Sequence, residues 1–195
     1  MAKSKLIIMD LILVFIIVVL LSQLRPDLVM IFFYFLLYPY LLITKRKEMI
    51  FYLLISSLVA LVWVLFANDQ YNYNQKMIKI SGLNAFTLFT SATGLFIVSM
   101  FYSHVKNYLK TKNKLINFLF FTLFYWLSIL AGETIAYHIF HIHNLATVAY
   151  AGLPICDCIH APAWMQISYF ALGPIYFLFC VLLGLKNPHH PKNKY

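Results

Sequence analysis

Six apolar runs constrain this chain more than any other feature of its sequence. Each is about 17 to 25 residues long, the length that an α-helix needs to cross a bilayer. Lipid cannot satisfy backbone N–H and C=O groups, so such runs cross membranes as helices. The runs are Leu6–Leu24, Leu28–Thr44, Met49–Ala67, Leu83–Ser103, Leu115–Ile139 and Ala163–Leu185. We predict an all-α integral membrane protein with about six transmembrane helices in one bundle over residues 1–185.

Basic residues predict how that bundle is oriented. Of the 15 lysines and arginines, only Arg25, Lys76 and Lys79 fall on one side of a six-helix arrangement, and the rest fall on the other. The positive-inside rule then predicts a multi-pass protein of the cell membrane with both termini in the cytoplasm. The net charge of +9 is explained as an orientation signal, so we expect no nucleic-acid partner. The "PHHPKNKY" end, within residues 186–195, is typical of a disordered cytoplasmic tail.

The two connections predicted on the outer side resemble each other. "ANDQYNY" and "AGETIAY" share an alanine, a carboxylate two residues later and a tyrosine four beyond that. Further along, "SGLNAF" and "AGLPIC" each place Gly-Leu at the start of a helix. We interpret this as two parallel tandem helix-pair repeats, over about 49–104 and about 115–185. Chance similarity between two apolar helix ends is the alternative.

The second connection carries a group of side chains suited to acid–base chemistry. If the fifth helix continues past Glu133, then Glu133, Tyr137 and His141 recur every four residues on one face, with His138 beside them. Desolvation in apolar surroundings favours the neutral form of a carboxyl group, which can then act as a general acid. Asp69 is the corresponding carboxylate of the first repeat.

The "GLPICDCIHAPAWM" segment resembles two related families of membrane enzymes. In "LPICD", Pro154 and Asp157 match the Pro-x-Glu-Glu or Pro-x-Glu-Asp motif of the lycopene cyclase domain, with Cys156 at the first acidic position. Pro162 and the following "AWM" also resemble the membrane carotenoid hydratases. Both resemblances cover roughly residues 50–180, and the first repeat reads "GLNAFT", without the motif's proline or acids.

The resemblance implies proton-initiated chemistry on a lipophilic isoprenoid. A carboxylic acid would protonate a double bond, and the carbocation would then close a ring or capture water, with no cofactor required. Glu133 and Asp157 would form the acid–base pair, supported by Tyr137, His138 and His141, with Asp69 as their counterpart. The partners expected are the lipid bilayer, a lipophilic small molecule and a homo- or hetero-oligomer. A non-catalytic partner subunit is a further alternative.

A different chemistry is also open for the same segment. Thiolates and imidazoles at this density suit zinc or copper, so the leading alternative is a metal-binding membrane protein. Cys156 and Cys158 could instead form a disulfide, since disulfides persist on the outer side of a bacterial membrane. The side chains that would serve as metal ligands are Cys156, Cys158, His160, His138 and His141.

Three polar side chains are assigned no functional role. We expect His143 to be a solvated interfacial residue that points away from the face of Glu133. We expect His104 to lie at the inner end of the fourth helix, outside any site. An acidic residue within a membrane span is a candidate for function, but we expect Asp10 to reach the interface or to pair with Lys5.

Overall fold

Six long helices account for nearly all of the regular structure. A computed structural model describes residues 3–109 and 113–185, so the tail predicted over 186–195 lies outside the described residues. All six helices are long and apolar enough to cross a membrane, which confirms the predicted fold class. The helices are α1 (Lys3–Gln23), α2 (Pro26–Ile43), α3 (Met49–Ala67), α4 (Ala85–Leu109), α5 (Lys114–Thr134) and α6 (Ala163–Leu182).

The short elements lie between these helices. A 3₁₀ turn over Asn68–Gln70 follows α3, and a π-helical turn over Ile135–Ile139 extends α5. Strands β1 (Lys79–Ile80) and β2 (Leu83–Asn84) form an antiparallel hairpin before α4. The α5–α6 connection has no such hairpin within the residues described. The tandem repeat therefore stays a prediction.

The outward surfaces of the helices are suited to lipid. Phe15, Leu58 and Phe66 expose more than half of their surface, and many other large apolar side chains do the same. In water such a surface would drive aggregation, whereas in a bilayer it contacts hydrocarbon at no comparable cost. A lipid environment therefore agrees with the architecture.

Helix α4 lies at the centre of the bundle. It contacts α1, α2, α3 and α5, while α6 packs against α3 and α5. A larger fraction of its membrane span is buried than of any other span described. Helices α1 and α5 therefore both border α4, which positions the cavity described below.

The two connections predicted to resemble each other are joined at one end of the bundle, here called the loop end (residues 68–84 and 135–162). Tyr73 and Asn144 form an isolated antiparallel bridge. The Leu145 N–H donates to the Asn72 carbonyl at 2.6 Å, and the Asn74 N–H donates to the His143 carbonyl at 2.9 Å. These bonds join two segments that are about 70 residues apart in the sequence into one layer at this end of the bundle.

The opposite end, here called the basic end (residues 3–10, 44–48 and 104–106), is held by a buried ion pair. Asp10 is fully buried, and its carboxylate accepts two bonds from the Arg46 guanidinium, at 2.7 and 2.9 Å. The Tyr40 hydroxyl donates to the same carboxylate, and His104 Nε2 lies 2.8 Å from it. The cluster ties α1, the α2–α3 turn and α4 together.

This arrangement overturns the expectation for Asp10. It neither reaches the interface nor depends on Lys5, because Arg46 turns inward from its short connection and neutralises the carboxylate. His104, expected to lie outside any site, is a member of the same cluster. A buried carboxylate needs such partners because an unpaired charge in apolar surroundings is very costly.

Close contact between α5 and α6 depends on Gly173. A methyl group at this position would overlap the ring of Tyr125, whose hydroxyl donates to the Tyr169 carbonyl at 2.7 Å. We expect Gly173→Ala to lower the free energy of unfolding by about 1–3 kcal/mol, because the ring must move. Gly132 has no atom near its potential methyl position, so Gly132→Ala should be neutral or stabilising by up to about 1 kcal/mol.

Thermal unfolding of both glycine variants in detergent tests this prediction. Equal transition temperatures for the two variants would contradict the close packing of α5 on α6.

Candidate functional site

A cavity of about 360 Å³ lies at the loop end, between α1, α4, α5 and α6. One wall runs along α4 from Phe86 to Val98, about 18 Å at 1.5 Å per residue. Ile17 and Leu21 of α1 line a second side, and the segment containing Ile159 closes part of a third. The wall is mainly apolar and aromatic, the lining expected where a small lipophilic molecule binds.

Glu133 lies on this wall, one residue before the end of α5. Among the described residues that line the cavity, it is the only one with a carboxyl group. The other polar groups of the wall are hydroxyls, phenols, an amide and the imidazole of His160. A single acid in a mainly apolar wall has the composition of a proton-donor site.

Phenol groups gather around Glu133. The Tyr71 hydroxyl accepts a hydrogen bond from Trp63 Nε1 at 2.8 Å and lies 3.0 Å from the Tyr169 hydroxyl. The Tyr73 hydroxyl lies 3.2 Å from the Thr87 hydroxyl. Burial raises the pKa of Tyr71 and Tyr73, and the negative charge of Glu133 adds to the rise in both. Both phenols therefore stay neutral and can donate hydrogen bonds.

The Tyr137 ring is enclosed by two imidazoles. The ring centroids of His143 and His160 lie 4.4 and 4.5 Å from that of Tyr137, in stacked arrangements. His160 Nδ1 lies 2.8 Å from the Tyr150 carbonyl, which fixes the plane of its ring. Tyr137 and His160 both line the cavity, together with Glu133. His143 was expected to be a solvated residue turned away from this face; it instead holds one side of Tyr137.

The predicted helical face through Glu133, Tyr137 and His141 is only partly formed. The face required a helix that continues through His141, and this condition is not met, because the π-helical turn ends at Ile139. His141 follows with a φ of 53°, and its carbonyl accepts a bond from the Asn74 side chain. In a π turn the backbone hydrogen bond joins residues five apart rather than four, so the positions that follow shift around the helix axis. His138 turns instead to the Cys156 carbonyl, 2.9 Å from its Nε2.

The two other predicted carboxylates lie away from the cavity. The side chain of Asp157 is 77% exposed and approaches His160 Nε2 at 3.5 Å, and it is not part of the lining. Asp69 is exposed within the 3₁₀ turn that follows α3. The structure therefore does not bring Asp157 or Asp69 onto the wall that carries Glu133.

Cys156 and Cys158 are joined by a disulfide bond. Cys158 is completely buried in an apolar cluster that includes Trp63 and Met165, so its packing anchors this turn to α3 and α6. Backbone angles shape the same turn, since Asp157 and Ile159 both have positive φ. Gly152 permits the tight fold, because a methyl group there would overlap the side chains of Asp157 and His160.

The pairing predicts a specific thiol count. Denatured, unreduced protein should react with one equivalent of iodoacetamide, at Cys180, because the other two sulfurs are bonded. After reduction, three equivalents should react. Mass spectrometry of the alkylated protein measures both numbers, and three reactive thiols before reduction would contradict the disulfide.

The predicted metal ligands do not converge in this arrangement. Bonded sulfurs offer no thiolate, and thiolate is the form in which cysteine binds zinc. His138 and His160 use ring nitrogens on backbone carbonyls. Within residues 3–109 and 113–185, no group of three or more His, Cys, Asp or Glu side chains is placed to hold a metal ion. Metal binding therefore stays a prediction.

Sequence reasoning missed the polar residues that α4 contributes to the cavity. Thr87, Thr90 and Thr93 recur at intervals of three near the start of α4, a spacing that places them near one another on its surface. That periodicity was the available signal. Tyr73 and Tyr169 gave no local signal, because only the packing of the helices brings them near Glu133.

Comparisons of this chain with protein-family models, with curated proteins and with solved structures find no match.

Proposed function

We propose that this protein is a membrane enzyme that acts on a lipophilic isoprenoid, of the carotenoid type, by protonating a carbon–carbon double bond. The observation that carries the proposal is the position of Glu133, the one carboxyl group on the described wall of an elongated apolar cavity. The cavity offers a hydrocarbon chain a path of about 18 Å along α4.

Glu133 supplies the proton. In its neutral form, the O–H bond breaks while a C–H bond forms at one carbon of the double bond, which leaves a carboxylate and a tertiary carbocation. If a second double bond attacks the cation, a ring closes and a neighbouring C–H proton returns to the carboxylate. If water attacks instead, an alcohol forms and the proton of that water returns. Both outcomes balance without a cofactor.

The wall suits a cationic intermediate. Tyrosine faces attract cations at up to about 6 Å from the ring centre, and Tyr73, Tyr125, Tyr137 and Tyr169 all line the cavity. An apolar enclosure also limits the access of bulk water to a reactive cation. Hydrogen bonds hold several of these rings in place, among them the bond from the Tyr125 hydroxyl to the Tyr169 carbonyl.

Asp157 has no part in this proposal, because its side chain is exposed rather than on the cavity wall. The acid–base cycle is therefore assigned to Glu133 alone, which gives up the proton and takes one back. Tyr137 and His160 share the cavity wall with that carboxyl group.

Expression in a bacterium that accumulates a linear carotenoid tests the proposal. Lipid extracts should contain a new compound, either an isomer of the starting pigment or a product heavier by one water molecule. Liquid chromatography with mass spectrometry distinguishes the two. An unchanged extract from cells that contain folded protein in the membrane would contradict action on a carotenoid.

A further inference from the structure

A small cleft of about 50 Å³ lies at the basic end, between α3, α4 and α6. It can hold a group of several atoms but no lipid chain, since a single water molecule requires about 10–15 Å³ of such space. Its described wall carries hydroxyl groups and one lysine but no carboxylate. Hydrogen-bond donors together with a positive charge are the composition of an anion site. The side chains that supply them are Tyr52, Ser99, Tyr102, Ser103, Lys106 and Tyr176.

Lys106 has no counter-charge within the described part of the chain. Among the lysines whose side chains the structure describes, it alone is not exposed. All six acidic residues lie within the described ranges, and none of them forms an ion pair with Lys106. Arg46, the buried cation of the same end, is by contrast neutralised by Asp10. A partly buried charge without a partner is unfavourable, so an anion from outside the chain would stabilise this side chain.

The Tyr52 hydroxyl is a second group of the wall that a ligand can reach. The hydroxyls of Tyr102 and Tyr176 donate to backbone carbonyls at 2.8 and 3.3 Å, whereas no hydrogen bond joins the Tyr52 hydroxyl to another described residue. This oxygen is not among the unbonded oxygens of the described residues that lack accessible surface, and Tyr52 itself is partly exposed. Since α3 packs on α4, one anionic group in the cleft can bind both Tyr52 and Lys106.

The cleft lies at the depth of lipid headgroups. The membrane span of α4 ends at Lys106, that of α3 begins at Met49, and that of α6 ends at Leu182. The phosphate groups of a bilayer lie at this level, just outside the hydrocarbon core. Val181, which lines the cleft, and Leu182 beside it in the chain are both exposed, so the acyl chains of a lipid have an apolar surface to contact there.

We propose that this cleft binds the phosphate group of an anionic phospholipid, with Lys106 and Tyr52 as the hydrogen-bond donors. The ammonium group supplies a charge-assisted hydrogen bond, and the phenol supplies a second bond to the same anion. Basic pockets between transmembrane helices are a recurrent kind of site for anionic headgroups. The cleft shares no residue with the cavity of Glu133, so the lipid site is independent of the proposed reaction.

The shift in thermal unfolding of the full chain in dodecyl maltoside micelles measures binding of added lipid. The probes are phosphatidylglycerol, which is anionic, and phosphatidylcholine, which carries a phosphate but no net charge. We expect wild-type protein to bind phosphatidylglycerol about 3- to 10-fold more tightly, the factor that one lysine supplies near anionic headgroups. Sodium phosphate at the same concentration, with sodium chloride of equal ionic strength as its reference, should give no shift, because it lacks the acyl chains.

The Lys106→Met variant removes the ammonium group and keeps a side chain of similar length. It should bind the two lipids equally, and in lipid-free micelles it should unfold at the wild-type temperature or above it, because an unpaired charge is gone. Lys106→Arg should keep the preference for phosphatidylglycerol. Tyr52→Phe should weaken binding of phosphatidylglycerol about 2- to 10-fold, the range for one net hydrogen bond. Lys47→Met is the matched control and should keep the wild-type preference, since Lys47 lies at the same end but is exposed.

Each outcome decides whether the cleft is a lipid site. Equal binding of the two lipids by wild-type protein would overturn it, as would a lower transition temperature of Lys106→Met without lipid. A preference that survives in Lys106→Met, or that Lys47→Met loses equally, would assign the attraction to the general charge of the basic end and would also overturn the site. An equal shift from sodium phosphate would overturn the lipid as the source of the anion. Loss of the preference in Lys106→Met alone would support the site, whether or not cells form an isoprenoid product.

Discussion

Asp10→Asn should destabilise the protein by about 3–5 kcal/mol, the cost of leaving a buried charge without its partner. The amide keeps the shape of the side chain but removes the charge, so the buried Arg46 guanidinium loses its counter-charge and one of its two acceptor oxygens. Arg46→Met should have a similar effect, because it leaves Asp10 charged and buried with fewer donors. Both variants loosen α1, whose membrane span is among the least buried.

Lys47→Ala is the matched control for this prediction. Lys47 lies in the same turn as Arg46 but is exposed, so its removal should change the free energy of unfolding by less than about 0.5 kcal/mol. Unfolding of the three variants by increasing fractions of sodium dodecyl sulfate in mixed micelles measures the difference. Stability of Asp10→Asn equal to that of Lys47→Ala would show that the buried pair does not anchor α1.

Glu133→Gln should reduce formation of the isoprenoid product at least about 100-fold, the usual contribution of a general acid. Glutamine fills the same space and still forms hydrogen bonds, but it cannot release a proton to a double bond. The thermal transition of the variant should stay close to that of wild type, which separates loss of chemistry from loss of fold. A variant that keeps more than a tenth of wild-type product formation would remove Glu133 from the mechanism.

The exposed carboxylates discriminate between two assignments of the acid. If only a carboxyl group on the cavity wall can donate the proton, Asp157→Asn and Asp69→Asn keep their activity, since neither side chain lines the cavity. If the acid–base pair implied by the family resemblance is correct, Asp157→Asn instead loses activity together with Glu133→Gln. Product analysis of the three amide variants, expressed to equal levels, separates these cases.

The helices were predictable because a long apolar run crosses a bilayer as a helix, the structure that satisfies its own backbone hydrogen bonds. Met49–Ala67 matches the third predicted run at both ends, and the other helices differ from their predicted runs by a few residues. The largest difference is at α4, which continues from Ala85 to Leu109, beyond the predicted end at Ser103. Polar residues can extend a helix into the interface, where apolar content no longer marks its end.

The site was less predictable because it depends on packing between distant segments. Glu133 was identified from its position near the end of a helix, a local feature. The π turn at Ile135–Ile139 and the outward orientation of Asp157 are set by the way in which the loop end folds together. The cluster of Asp10, Arg46 and His104 joins residues up to 94 positions apart, so no local pattern could reveal it.

Deuterium transfer from solvent tests the central claim of proton donation to a lipophilic substrate most directly. Membranes containing the protein are incubated with a linear carotenoid in D₂O, and the molecular mass of the extracted product is measured by mass spectrometry. The Glu133 O–H exchanges with solvent once product has left, so proton-initiated cyclisation and hydration both predict one carbon-bound deuterium for each double bond protonated, absent from reactions in H₂O and lost with product in Glu133→Gln. A product formed in D₂O without carbon-bound deuterium would contradict protonation of a double bond by this site.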